Sequence, residues 1–199
     1  MKNTVPLSFA LLVCALLTLG ACHRDYTPKP VAYLRFSFPE KEYQRCDTAA
    51  IPFTFDYSSL ATVTLKRNNP REKYIDIHYP QYKAYVFLTY KPIHGLDGLR
   101  AQVDTSYELM KQHFDYSSGV DEQRYVDPSG RVYASTFRLK GSSVASTYQF
   151  WATDSTRHFL RGALFLDCTP NNDSLSPLID YLHADLEHLL ETLEWKEAE

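Results

Sequence analysis

A few groups of residues in this 199-residue chain have types and spacings that could do chemistry. Leu19-Gly20-Ala21-Cys22 sets a large aliphatic residue and two small ones before a cysteine. Small residues let an extended backbone enter a narrow protease site, and the thiol can then take a diacylglycerol. His183 and Glu187 are four apart on one helix face, a spacing that suits a metal. His188 turns away from His183, and the opposite face is apolar, so a solvated acidic face on a docked helix is the favoured reading. Asp154, Ser155, Thr156, Arg157 and His158 contain the letters of a hydrolase triad. Working triads, however, gather residues from distant chain positions. Asp and Ser are also common turn formers, because their side chains bond the local backbone. The five residues therefore read as a hairpin loop and a candidate partner-binding surface. Tyr79, Tyr82 and Tyr85 lie around a loop between strands and form a second candidate. Cys46 and Cys168 remain after Cys22. Outside the cytoplasm an even pair is a disulfide candidate, the alternative being two separate buried thiols.

Other chemistry is missing from the pattern. There is no Gly-rich phosphate loop, no G-x-S-x-G and no Cys-x-x-Cys. No catalytic residue, metal site or cofactor is expected. The formal net charge of −3 offers no nucleic-acid footprint.

The N-terminus defines the organisation. Lys2 precedes an uncharged stretch whose apolar core runs from Leu7 to Leu19. That core is shorter than the roughly 20 residues of a membrane-spanning helix. It fits a secretory signal, with residues 1–21 removed and Cys22 lipidated. Residues 22–32 then form the anchor and a proline-containing tether. In polyproline II, at about 3.1 Å per residue, ten such residues reach roughly 30 Å. Residues 33–199 are expected to form one globular domain. No acidic run follows Cys22, so a periplasmic orientation is expected, with the outer membrane preferred over the inner.

Within the domain, aromatic and β-branched runs read as strands at Tyr33–Phe38, Phe53–Tyr57, Thr62–Arg67, Tyr74–Tyr79 and Ala84–Tyr90. Leu96, Leu99, Val103, Tyr107, Met110 and Phe114 then recur at helical spacing. Strands resume at Asp121–Val126, Arg131–Leu139, Thr147–Ala152 and His158–Leu166. A final helix carries an apolar stripe of Leu175, Leu178, Ile179, Leu182, Leu186, Leu189, Leu190 and Leu193. Strands interrupted by two helices predict an α+β fold, a largely antiparallel sheet with two main helices packed on it. The layout resembles the sandwich of the PsbP and Mog1 proteins, a fold-level analogy that carries no function.

Four stretches support a closer resemblance. They are Asp25-Tyr26-Thr27-Pro28-Lys29-Pro30; Tyr79-Pro80 through Thr89-Tyr90-Lys91-Pro92; Gln149-Phe150 through Thr153-Asp154-Ser155-Thr156-Arg157-His158-Phe159-Leu160-Arg161-Gly162; and Asn172-Asp173-Ser174 through Glu191-Thr192-Leu193-Glu194-Trp195-Lys196. In these the chain resembles the gliding-motility lipoprotein GldD family of the Bacteroidota. The resemblance implies a non-enzymatic accessory protein of gliding and of the linked type IX secretion system, with other envelope proteins as partners and no catalytic residues. The alternative is a periplasmic lipoprotein binding a small molecule or glycan on its aromatic surface.

Overall fold

The computed structural model describes residues 37–66 and 72–196. The signal, Cys22, the tether, most of the strand expected at Tyr33–Phe38 and the loop at Asn68-Asn69-Pro70 lie outside the described residues.

Among the described residues, seven strands form the main sheet: β3 (Thr62–Lys66), β4 (Lys73–Tyr79), β5 (Ala84–Pro92), β6 (Gly119–Asp127), β7 (Val132–Lys140), β8 (Tyr148–Thr153) and β9 (His158–Leu166). Their order is β3-β4-β5-β9-β8-β7-β6, and every neighbouring pair is antiparallel. A smaller sheet pairs β1 (Tyr43–Cys46), β2 (Phe53–Ser58) and β10 (Glu194–Trp195). Helix α1 (Gly95–Lys111) joins β5 to β6, and α2 (Asn172–Glu191) follows β9. The fold is α+β with an antiparallel sheet, as the alternation of strand and helix patterns predicts.

Side chains alternate across a strand. Ile75 and Ile77 of β4, Val86 and Leu88 of β5, Tyr148 and Phe150 of β8, and Leu160 and Leu164 of β9 all point to one face. That face meets Phe53 and Phe55 of β2 and the stripe of Leu178, Leu182, Leu186, Leu189 and Leu190 on α2. The close fit shows at Gly162, opposite Phe150 in the ladder. A Cβ there would lie 2.1 Å from the Phe150 ring.

The second face is covered unevenly. Helix α1 packs over β8 and β9, with Met110 among Phe137, Leu139 and Val144. Only Ser106 and Met110 of α1 are fully buried. Leu96 and Phe114, expected in its apolar stripe, are 67% and 41% exposed. A helix touching two strands buries a narrow stripe, and Phe114 lies beyond it in a 3₁₀ turn, Phe114–Tyr116.

Some expectations are corrected. Ser37 and Phe38 are not in a strand. The Phe38 ring stacks on Tyr181 of α2 at 4.5 Å, so tertiary packing overrides the local alternation. Strands β1 and β10 have no apolar alternation of their own, and their pairing with β2 creates them. Cys46 and Cys168 are free thiols, the first half-buried and the second exposed. Topology explains why. Lys196 links the Trp195 end of the small sheet to Asp47, next to Cys46, and Trp195 stacks on His158 at the start of β9. Cys168 lies past Leu166, at the other end of β9. That strand spans about 27 Å at roughly 3.4 Å per residue, whereas a disulfide needs Cα atoms within about 7 Å.

Leu186 is 1% exposed at the centre of the α2 interface. Leu186→Asp is expected to abolish the cooperative melt. Glu187 instead pairs with Arg138 near the surface. Glu187→Ala should cost no more than about 1 kcal/mol. A Leu186→Asp protein melting like the parent would refute this core assignment.

Candidate functional site

The loop after β8 is organised around one carboxylate. Asp154 is only 4% exposed. Its Oδ1 accepts the backbone N–H groups of Thr156 (2.9 Å), Arg157 (2.7 Å) and His158 (2.8 Å). Its Oδ2 accepts the Thr156 hydroxyl at 2.7 Å. Burial works to raise the pKa of Asp154, but these hydrogen bonds outweigh it and hold the group at about 2. Ser155 adopts a left-handed φ of 68° to bring the three N–H groups round. The loop carbonyls then fix the start of α1: Thr156 accepts from Gly95 N–H (3.1 Å) and Arg157 from Ile93 N–H (2.9 Å).

His158 also faces inward. It is 7% exposed, its Nδ1 lies 2.9 Å from the Tyr90 hydroxyl, and its ring stacks on Trp195 at 5.0 Å. Burial holds its pKa below the ordinary value despite the Asp154 charge. Asp154 and His158 are therefore scaffold, correcting the expectation that both offer themselves to a partner. The Thr156 and Arg157 side chains remain exposed. Arg157 and Arg131 line a cleft of about 320 Å³ against Trp195.

The three tyrosines separate. Tyr79 is 3% exposed and points into the core. Burial first, and the Asp185 charge second, raise its pKa. Tyr82 is half-buried between Phe38 and Tyr181. Tyr85 lies on the opposite face of the sheet, stacked on His78 at 4.3 Å. Tyr79 is a packing residue, whereas Tyr82, in the turn, and Tyr85, on the outer face of the sheet, are each partly exposed.

The acidic face expected on the last helix is also more buried than its pattern suggests. Asp185 is 2% exposed; it binds Lys41 and accepts the Tyr43 hydroxyl at 3.0 Å. Lys41 donates in addition to the Tyr181 carbonyl at 2.8 Å. These contacts fasten the start of the described chain to α2. His183 is buried, with Nε2 3.1 Å from the Thr147 hydroxyl. Burial first, and Arg138 second, hold its pKa down at about 4. With Glu187 on Arg138, His183 and Glu187 serve different partners. Among the described residues no three His, Cys, Asp or Glu side chains gather as a metal site.

A surface of which the sequence pattern singled out Tyr85 alone lies on the outer face of β4, β5 and β9. Tyr85 stacks on Phe87 at 5.8 Å, and Phe87 lies 5.7 Å from Phe165. Phe87 is 38% exposed and Tyr74, on the same face, 39%. Lys66 and Asp76 form an ion pair beside them at 2.5 Å, and Lys66 lies over the Phe87 ring. The only other signal in the sequence is that β5 alternates between two apolar sets, so both of its faces carry rings.

The family model described as gliding motility lipoprotein GldD matches residues 23–195. The chain belongs to this family. Membership ties it to gliding motility and, as a lipoprotein family, to a lipid-anchored place in the envelope. No helix among the described residues is long and apolar enough to cross a membrane. No curated protein matches the chain. A solved structure, the solution structure of cyanobacterial PsbP (CyanoP) from Synechocystis sp. PCC 6803, aligns at 13% identity and a TM-score of 0.45, over 84% of this chain and 99% of that one.

The Asp154 nest in this GldD-family chain gives a signed pH effect. Its folded pKa lies below that of an unfolded aspartate, about 3.9. The stabilisation is therefore complete above pH 4 and is lost as pH falls towards 2. Asp154→Ala should lose about 1–3 kcal/mol at neutral pH and flatten the acid limb of the stability profile, read by denaturant melts across pH. An unchanged acid limb would contradict the nest.

Proposed function

We propose that this protein is a lipid-anchored periplasmic component that supports gliding motility and the linked type IX secretion system by protein–protein contact, without catalysing a reaction. Cys22 carries the lipid, the residues to Ala32 act as tether, and the domain reaches from the outer membrane to other envelope proteins of the machinery. The observation that carries this reading is the aromatic outer face of β4, β5 and β9. Tyr74, Tyr85, Phe87 and Phe165 make a patch beside α1, which it meets at Tyr74 and, through His113, at Phe165, and the patch is bordered by the Lys66–Asp76 and Lys91–Glu72 ion pairs. An apolar, aromatic centre with a charged rim is the anatomy of a protein interface. Buried aromatics at the centre of such patches supply most of the binding energy. The polar groups the sequence offers for chemistry are instead consumed by structure: Asp154 by three N–H groups, His158 by Tyr90 and Trp195, and Asp185 by Lys41 and Tyr43.

The test is a paired substitution, Tyr85→Ser with Phe87→Ser, introduced into the native gene. The melting temperature should stay within a few degrees of the parent, because both side chains are partly exposed. Gliding, where the organism glides, and type IX secretion should both fall. Full secretion from a stably folded double variant would remove this face from the functional surface.

A further inference from the structure

Between α1 and the sheet is a small cleft whose polar groups are out of balance. Its volume is about 110 Å³, and its walls include Arg161 and Phe159 of β9 and Ser106 and Leu109 of α1. Arg161 is the one charged residue inside β9, an otherwise apolar strand apart from its terminal histidine. The guanidinium has five N–H donors. One nitrogen, Nη2, donates to the Gln149 side-chain carbonyl at 2.7 Å. No other hydrogen bond and no ion pair engages the guanidinium among the described residues. Lys91 and Tyr74, which also line the cleft, both engage Glu72, Lys91 at 3.0 Å and Tyr74 through its hydroxyl.

Two more donors share this face of the sheet without a partner. Gln149 is 2% exposed, and its Nε2 has no acceptor. The Trp151 indole N–H, directly opposite Arg161 in the ladder, has none either. The hydroxyl of Ser106 is turned back to the Gln102 carbonyl of its own helix at 2.9 Å. A buried donor left unpaired costs about 1–3 kcal/mol, and burying an unpaired charge costs more. Burial alone lowers the pKa of Arg161, and no carboxylate opposes it. Burial and the Arg161 charge also keep His113 below its ordinary value. The cleft itself is lined by Arg161, whose guanidinium has a single acceptor, by Lys91, which is paired with Glu72, and by an apolar rim at Leu109, which is 38% exposed; Gln149 and Trp151 lie behind Arg161 in the sheet rather than in its walls.

We propose that this cleft binds the carboxylate of a small organic acid, held by the guanidinium fork of Arg161 with its apolar tail against Phe159 and Leu109. A planar carboxylate matches the fork in a bidentate way, and this geometry favours Arg over Lys. The volume suits such a group with a short tail and excludes a large ligand. The cleft adjoins the aromatic face at Tyr74 and Lys91, which line both, so a ligand there would sit beside the surface proposed to meet partners.

The experiment uses the processed lipoprotein in detergent. Sodium benzoate, sodium acetate and inorganic phosphate are titrated at constant ionic strength. Melting temperature is one readout. Trp151 fluorescence, isolated by Trp195→Phe, is the other. Saturable stabilisation and a fluorescence change with the carboxylates are expected. Arg161→Lys should weaken binding by about tenfold or more. Gln149→Glu guards against a mere folding defect, since it gives Arg161 an internal carboxylate. That variant should melt above the parent and lose its response to added acid. A parent protein that responds to no anion overturns the proposal. So does a Gln149→Glu variant that still binds benzoate, and saturation by phosphate alone would replace the carboxylate with a tetrahedral ligand.

Discussion

Burial of the α2 leucine stripe against one face of the seven-stranded sheet is the interaction on which the rest of the molecule depends. Leu182, Leu186 and Leu189 are each 1% exposed there, against Ile75, Val86, Phe150 and Leu164. Full burial of each such side chain contributes on the order of 1.5–3 kcal/mol before entropy is counted. Because strand residues alternate, that choice sends Tyr74, Asp76, Tyr85, Phe87, Gln149, Trp151 and Arg161 to the other face together. Both the aromatic patch and the donor-rich cleft are consequences of the register that α2 enforces.

Around this core, buried polar groups decide geometry more than chemistry. Asp154 folds its loop and, through the loop carbonyls, fixes the entry to α1. Asp185 does the same for residues 41–43, tying them to α2. Each carboxylate gathers several donors on its Oδ1, a condition that helps a buried charge to be tolerated, although Oδ2 of Asp185 is left without a partner. Arg161 does not meet that condition. Its environment differs in kind from those of Asp154 and Asp185, and this is why it reads as a site.

The legible part of the fold was the part with a strong period. The α2 stripe and the alternations of β4, β5 and β9 announce themselves at spacings of 3.6 and 2. β1 and β10 did not, because β2 supplies both their hydrogen bonds and their position. The site was less legible. Asp154 and His158 look like contact residues in a polar loop, but only three-dimensional structure shows three N–H groups converging on one oxygen. Tyr79 and Tyr85 look alike in sequence, yet the turn between them puts one in the core and one outside. Arg161 had a signal, a lone charge in an apolar strand, but its meaning depends on Gln149 and Trp151 across the ladder being without acceptors.

The functional account rests on the outer face of β4, β5 and β9 meeting another envelope protein. The most direct measurement places a photo-crosslinking amino acid at position 87 in living cells, with position 126 as control. Val126 is 59% exposed on the edge strand β6, away from the patch. The account predicts a discrete adduct from position 87, identified by mass spectrometry as a component of the gliding or secretion machinery, and none from position 126. No adduct at 87, or the same adducts at both positions, would contradict it.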